Sequence, residues 1–237
     1  MNNPLVFIHG SGDSAGIWRL QSADLSKDYP VYAIDLPGHG ERPDTFSDTV
    51  TVQEYAQTAY AIIHSELRLE RAIIGGHSLG GAVALAMALA YGTELSGLIL
   101  VGTGARLRVL PAMLEATLTQ PLEAQHELTA LAITEANRAA VIPGILRDQK
   151  EPGPTILHRD LAACDQFDCM ARLAEIHLPS LIICGNDDRL TPTKYSQYLH
   201  DRLQGSTLRI IPNAGHYVMR EQPMAVNQAI RDWLQHL

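Results

Sequence analysis

Gly76-His77-Ser78-Leu79-Gly80 sets one serine between two glycines with the spacing G-x-S-x-G. The apolar run Ala72-Ile73-Ile74 precedes it, and an Ala-rich stretch from Leu79 to Tyr91, apolar nearly all round, follows it. A sharp turn from strand to helix in that pattern presents the serine hydroxyl in a strained conformation, beside the positive end of the helix. Glycine is needed at 76 and 80, where side chains would meet neighbouring backbone. A serine hydroxyl attacks acyl carbon once a base takes its proton. The chain should therefore supply an acid and then a histidine further along. Gly185-Asn186-Asp187-Asp188-Arg189-Leu190-Thr191-Pro192 follows one apolar run and offers two adjacent acids. Asn213-Ala214-Gly215-His216 follows the last apolar run and offers the base. On the residues alone, Asp187 and Asp188 both stand as the acid. The amide of Leu79, the residue after the nucleophile, is one donor to a tetrahedral oxyanion. His77 reads as a packing residue, and His64, His126, His158, His200 and His236 read as solvated surface groups.

These residues need a rigid frame. Short apolar runs occur at 5–8, 31–34, 72–74, 98–101, 181–184 and 208–211, most of them continuous and closed by Gly, Asp, His or Pro. That is the pattern of strands buried on both faces of a parallel sheet. Helical patterns alternate with them. Thr51-Val52-Gln53-Glu54 forms a capping box ahead of an apolar face at Val52, Tyr55, Ala56, Ala59, Ile62 and Ile63. Further helices are expected over 79–91, over 193–203 with Gly205 as a cap, and over 221–237 with Pro223 in the first turn. Alternation of this kind predicts an α/β fold with a doubly wound, mostly parallel sheet of about six strands. Residues 104–178 break the rhythm, with Leu, Ala and Met at helical spacing, five prolines and no good strand. The expected organisation is a core of 1–103 and 179–237 carrying a helical lid insertion at 104–178, with an exposed loop at 150–154.

Together the pieces resemble the α/β-hydrolase superfamily, in its small lid-bearing serine esterase branch. The matching segments are His9-Gly10-Ser11-Gly12, Asp35-Leu36-Pro37-Gly38-His39-Gly40, the Ser78 turn, the Gly185 to Pro192 loop and Gly215-His216. The resemblance implies the loop pattern G-x-x-D-x-x-x-P, which selects Asp188, and makes Asp35 a structural aspartate. It also implies that the second oxyanion donor is the amide of Ser11, with Gly10 and Gly12 letting backbone approach the substrate. Members of the family ordinarily carry two further strands ahead of the His-Gly loop, hence the shortened sheet expected here. Serine at 78, rather than aspartate, disfavours dehalogenase and epoxide hydrolase chemistry.

The chain has 237 residues, with 18 Lys+Arg against 26 Asp+Glu, a net charge of −8 with His neutral. That charge opposes binding to nucleic acid and to anionic lipid. Cys164, Cys169 and Cys184 are too few for a disulfide scaffold, and no CxxC or HExxH spacing suggests a metal. The charge-free stretch 72–93 is long enough to span a bilayer, but its paired glycines around His77 and Ser78 read as a turn. With no basic leader at the N-terminus, a cytoplasmic location is expected. The reading is a hydrolase of small to medium uncharged carboxylic esters, acting through an acyl-enzyme on Ser78 without metal or organic cofactor. Lactonase, thioesterase, perhydrolase and carbon–carbon hydrolase reactions use the same residues, and a non-catalytic ligand receptor is the alternative from another class. Val218 and Met219, with apolar residues of 104–178 such as Leu107, Leu110, Met113, Leu131, Ile133 and Ile145, are candidates for an acyl pocket. Trp18 reads as core, and Arg42 and Arg189 as surface ion-pair residues.

Overall fold

The computed structural model describes residues 3–148 and 154–237. Six strands, β1 (Leu5–Ile8), β2 (Val31–Ile34), β3 (Ile73–His77), β4 (Gly97–Val101), β5 (Ser180–Gly185) and β6 (Thr207–Ile211), form one sheet in the order β2-β1-β3-β4-β5-β6. All five pairings are parallel. The expected strands are all present. Those at 5–8, 73–77, 97–101 and 180–185 are buried throughout, which is why their apolar runs are continuous.

The register sets up the site. Ile8 pairs with Ile34 and Gly76, His77 with Val101, Val101 with Ile183, and Gly185 with Ile211. The strands therefore end level, and the loops that follow them share one rim. The chain runs from β1 to β2 on one side and then returns to β3 on the other side of β1. That reversal is the switch point at which open α/β sheets bind ligands.

Helices cover both faces. In chain order they are α1 (Arg19–Leu25), α2 (Val52–Ala61), α3 (Leu79–Tyr91), α4 (Pro111–Thr119), α5 (Pro121–Ala132), α6 (Glu135–Asp148), α7 (Pro154–Gln166), α8 (Thr193–Arg202), α9 (Val218–Glu221) and α10 (Pro223–Leu234). The capping box forms as expected: Thr51 Oγ1 accepts from the Glu54 amide at 3.2 Å, and the Thr51 amide donates to Glu54 Oε2 at 2.8 Å. From Leu79 to Ala88, α3 is wholly buried. Trp18 is core, stacked on Phe7 with ring centroids 4.6 Å apart.

Two expectations are corrected. The last helical stretch is two helices broken at Gln222, because Pro223 starts α10 at a position where its missing N–H costs nothing. The short helix α1, which buries Gln21 and Leu25, adds an element that the sequence pattern does not announce. Between β4 and β5 the described residues hold the four helices α4 to α7 and no strand, only an isolated bridge between Arg106 and Asp168. The expected loop at 150–154 falls outside the described residues except for Pro154, which begins α7. No helix among the described residues is long and apolar enough to cross a membrane.

Candidate active site

Ser78 joins β3 to α3 with φ 52° and ψ −114°, a left-handed backbone that a side-chain-bearing residue rarely adopts. The surroundings enforce it. A Cβ on Gly76 would sit 2.1 Å from the Gly80 carbonyl oxygen, and one on Gly80 would sit 2.4 Å from that of Ile8. The Ser78 amide donates to Val101 O at 3.0 Å, and Thr103 Oγ1 donates to Ser78 O at 2.8 Å. The turn is thus bonded on both sides, and strain of this kind persists only where packing over-determines it.

His216 lies beyond β6 and is 4% exposed. Its Nδ1 is 2.9 Å from Asp188 Oδ2. Asp188 also accepts from the Leu190 amide (2.9 Å), the Thr191 amide (2.8 Å) and the Thr191 hydroxyl (2.8 Å). Burial works against its charge, but His216 and the Thr191 donors outweigh burial and hold its carboxyl below the usual range. An ionised acceptor at Nδ1 fixes the proton there, leaving Nε2 with its lone pair when the ring is neutral. Asp187, the other candidate, is exposed.

The base is anchored from outside the sheet. The His216 amide donates to Ala132 O at 2.7 Å, at the end of α5. Glu221, 8% exposed, accepts from the Gly215 amide through Oε1 (2.8 Å). Its Oε2 accepts from the Thr134 amide, the Thr134 hydroxyl and Asn137 Nδ2, at 2.7–3.0 Å. His77 packs beside the base with ring centroids 4.7 Å apart and Nε2 3.0 Å from His216 O. Burial, aided by the neighbouring His216, pushes its pKa well down, so the ring is neutral, in keeping with a packing role.

A cavity of about 230 Å³ opens above this rim. Ser78 and His216 both line it, as do Ser11 and Gly12. Ser78 Oγ and His216 Nε2 are not hydrogen-bonded to each other, and neither takes another protein partner among the described residues. Such bonds are often long before substrate binds and tighten in the complex. The amides of Ser11 and Leu79 likewise donate to no protein group among the described residues.

Most of the apolar wall comes from 107–161, including Leu107, Leu110, Met113, Leu131, Leu157 and Leu161, and residues of 189–195 and Tyr217 complete it. The other expected pocket residues lie elsewhere. Val218 and Met219 are fully buried in the core cluster, on the short helix α9, which packs against α1, α6 and α10. Ile133 and Ile145 belong to the same cluster. Gly10 does not line the cavity; it backs onto His77, whose Nδ1 would be 2.9 Å from an added Cβ. Arg42 pairs with Glu66 as expected. Arg189 does not: it lines the cavity and has no ion pair among the described residues. His64, His158 and His200 are half-buried rather than solvated. Among the described residues, no group of three or more His, Cys, Asp or Glu could hold a metal ion.

The chain matches the alpha/beta hydrolase family over residues 5–229. It is 30% identical to the pimeloyl-[acyl-carrier protein] methyl ester esterase of Neisseria meningitidis, over 98% of this chain and 76% of that one. Among solved structures it resembles a thermophilic esterase, at 35% identity and a TM-score of 0.83, covering 98% of this chain and 89% of that one. A thermophilic esterase from Thermogutta terrifontis, solved with malate bound, superposes with a TM-score of 0.89 at 26% identity, covering 100% of this chain and 90% of that one.

Proposed function

Because the chain belongs to the alpha/beta hydrolase family, we propose that it is a serine carboxylic-ester hydrolase with Ser78 as nucleophile, His216 as base and Asp188 as orienting acid. The observation that carries this reading is the Asp188–His216 pair, whose free ring nitrogen belongs to a residue lining the same cavity as the strained Ser78. The esterases among its relatives support it.

The chemistry follows from the geometry. His216 Nε2 takes the Ser78 proton as Oγ attacks the ester carbonyl. The developing oxyanion is met by the amides of Ser11 and Leu79, each such donor being worth about 10²–10³ in turnover. The imidazolium, stabilised by Asp188, gives its proton to the leaving alkoxide, and an alcohol departs. Water then repeats the sequence on the acyl-enzyme and releases the acid. The helices between β4 and β5 form the roof of the site and act as its cap. Their leucines and the limited volume favour uncharged esters of small to medium size.

Labelling with a fluorophosphonate, mapped by mass spectrometry, tests this directly. One adduct at Ser78 is expected, and Ser78→Ala is expected to lose it along with about 10⁶ in p-nitrophenyl ester turnover. An adduct that persists in Ser78→Ala shows that the nucleophile is another residue. Reversible tight binding of a small molecule, with neither burst nor turnover, shows a receptor instead.

A further inference from the structure

One face of α7 is committed to the loop that follows β1. Leu157, Asp160 and Cys164 recur at helical spacing and each meets that loop. Leu157 Cδ1 lies 3.0 Å from where a Gly12 Cβ would be, Asp160 Oδ2 accepts from the Gly12 amide at 2.9 Å, and Cys164 Sγ is 3.6 Å from Ser11 Oγ. Gly12 itself has φ 67°, so this loop cannot be held by regular backbone pairing. The Gly10 carbonyl meets the Asp13 amide at 3.2 Å and His9 Nδ1 at 2.8 Å, while among the described residues Asp160 is the partner of the Gly12 amide.

Asp160 is fully buried and saturated. Oδ1 accepts from the Tyr55 hydroxyl at 2.6 Å, and Oδ2 meets His39 Nε2 at 2.9 Å as well as Gly12. His39 Nδ1 is 3.1 Å from Pro37 O. Both ring nitrogens of His39 face acceptors, so both carry protons and the ring is an imidazolium paired with a carboxylate. The neighbouring ring of His9 is neutral: its Nε2 accepts from the Leu36 amide at 3.1 Å while Nδ1 meets Gly10 O at 2.8 Å. The aspartate thus ties α7, α2, the loop at 37–39 and the loop at 10–13 to one point. Breaking a buried pair of this kind is costly, so the point is rigid.

We infer that Asp160 is a positioning residue for the oxyanion site, fixing the Ser11 amide by holding the next amide, that of Gly12, against α7. The inference rests on the hydrolase reading above. Asp160 touches neither Ser78 nor substrate; it acts through the loop. Its contribution falls on the transition state, because the Ser11 amide is needed most when the carbonyl oxygen becomes an oxyanion.

Asp160→Ala, with kcat referred to active sites counted by burst titration, is expected to lower kcat about 10²-fold and leave KM within about threefold. A trifluoromethyl ketone, which adds Ser78 to form a tetrahedral oxyanion, should lose about the same 10² in affinity. The matching secondary alcohol, which forms no oxyanion, should bind as before. Asp160→Asn keeps an oxygen for the Gly12 amide, but as a weaker, uncharged acceptor, and should recover only part of the loss. Equal weakening of ketone and alcohol, or an unchanged kcat in folded Asp160→Ala, overturns the inference. If the alanine variant does not fold, Asp160→Asn decides: a ketone loss exceeding the alcohol loss supports it, and equal losses overturn it. A parent enzyme never acylated at Ser78 removes the hydrolase reading and this inference together. An acylated parent with a fully active Asp160→Ala removes this inference alone.

Discussion

Among the described residues, two buried histidine–aspartate pairs share the same 2.9 Å contact, His216–Asp188 and His39–Asp160. Their contact distances are the same, and both are buried, His39–Asp160 completely and His216–Asp188 to within about 5%. They differ in the second ring nitrogen. That of His39 faces the Pro37 carbonyl, so the ring has an acceptor at each nitrogen and its charged form is favoured. That of His216 meets no protein acceptor among the described residues, and the residue lines a cavity beside a strained serine. A carboxylate beside a histidine is therefore a structural device until one nitrogen is left free to exchange its proton with something that can enter.

The comparison can be broken by variants on either side. The largest effect is expected from His216→Ala, at about 10⁶ in kcat, because the base is lost outright. Asp188→Asn should cost about 10⁴ through the wrong tautomer while leaving the fold intact. Single-turnover acylation of a p-nitrophenyl ester measures both, and retention of activity in either removes the catalytic assignment from this pair. His39→Gln should act chiefly on stability. For His39, burial opposes the charge, but Asp160 and the Pro37 carbonyl outweigh burial and the repulsion of Arg159, so its pKa lies above 6.5. The stabilisation it supplies is complete below 6.5 and is lost as pH rises through the raised value. Urea midpoints of the parent should therefore fall on the alkaline side, and His39→Gln should flatten that fall. For Asp188 the sign is opposite: its pKa is lowered, so its contribution is present above 3.8 and lost as pH falls through the lowered value. Asp188→Asn should flatten the acid limb, unlike His39→Gln on the alkaline one. The smallest change is Thr191→Val, which removes one hydroxyl donor to Asp188 and should cost about 1 kcal/mol in a denaturation curve.

Only one of the two pairs was legible in the sequence. Asp188 and His216 sit in short loops just after apolar strands, and the parallel register brings strand ends to one rim whatever the rest of the chain does. Asp160 lies on a helix with no local sign of its role, 121 residues from His39 in sequence, where no periodicity reaches. Glu221 was hidden for the same reason, its partners Thr134 and Asn137 being 87 and 84 residues away. The pocket leucines illustrate a different limit. Leu131 lines the cavity and Ile133, two residues on, is in the core. Helical spacing shows that such residues avoid water, without showing whether they avoid it against a cavity or against packed side chains. Val218 and Met219 lie in the core instead, because following His216 in sequence says nothing of the direction in which a one-turn helix points them.

The Ala132 carbonyl, which receives the His216 amide, sets a limit on traffic into the site. The end of α5 is fastened to the very peptide that carries the imidazole, so any outward movement of α5 must either break that bond, at a cost of about 1 kcal/mol, or carry the imidazole with it. Rotation of exposed side chains that line the cavity, such as Leu110 at 75% exposure, widens its opening without disturbing that bond. Rotations of that kind take picoseconds to nanoseconds, far faster than the movement of whole helices.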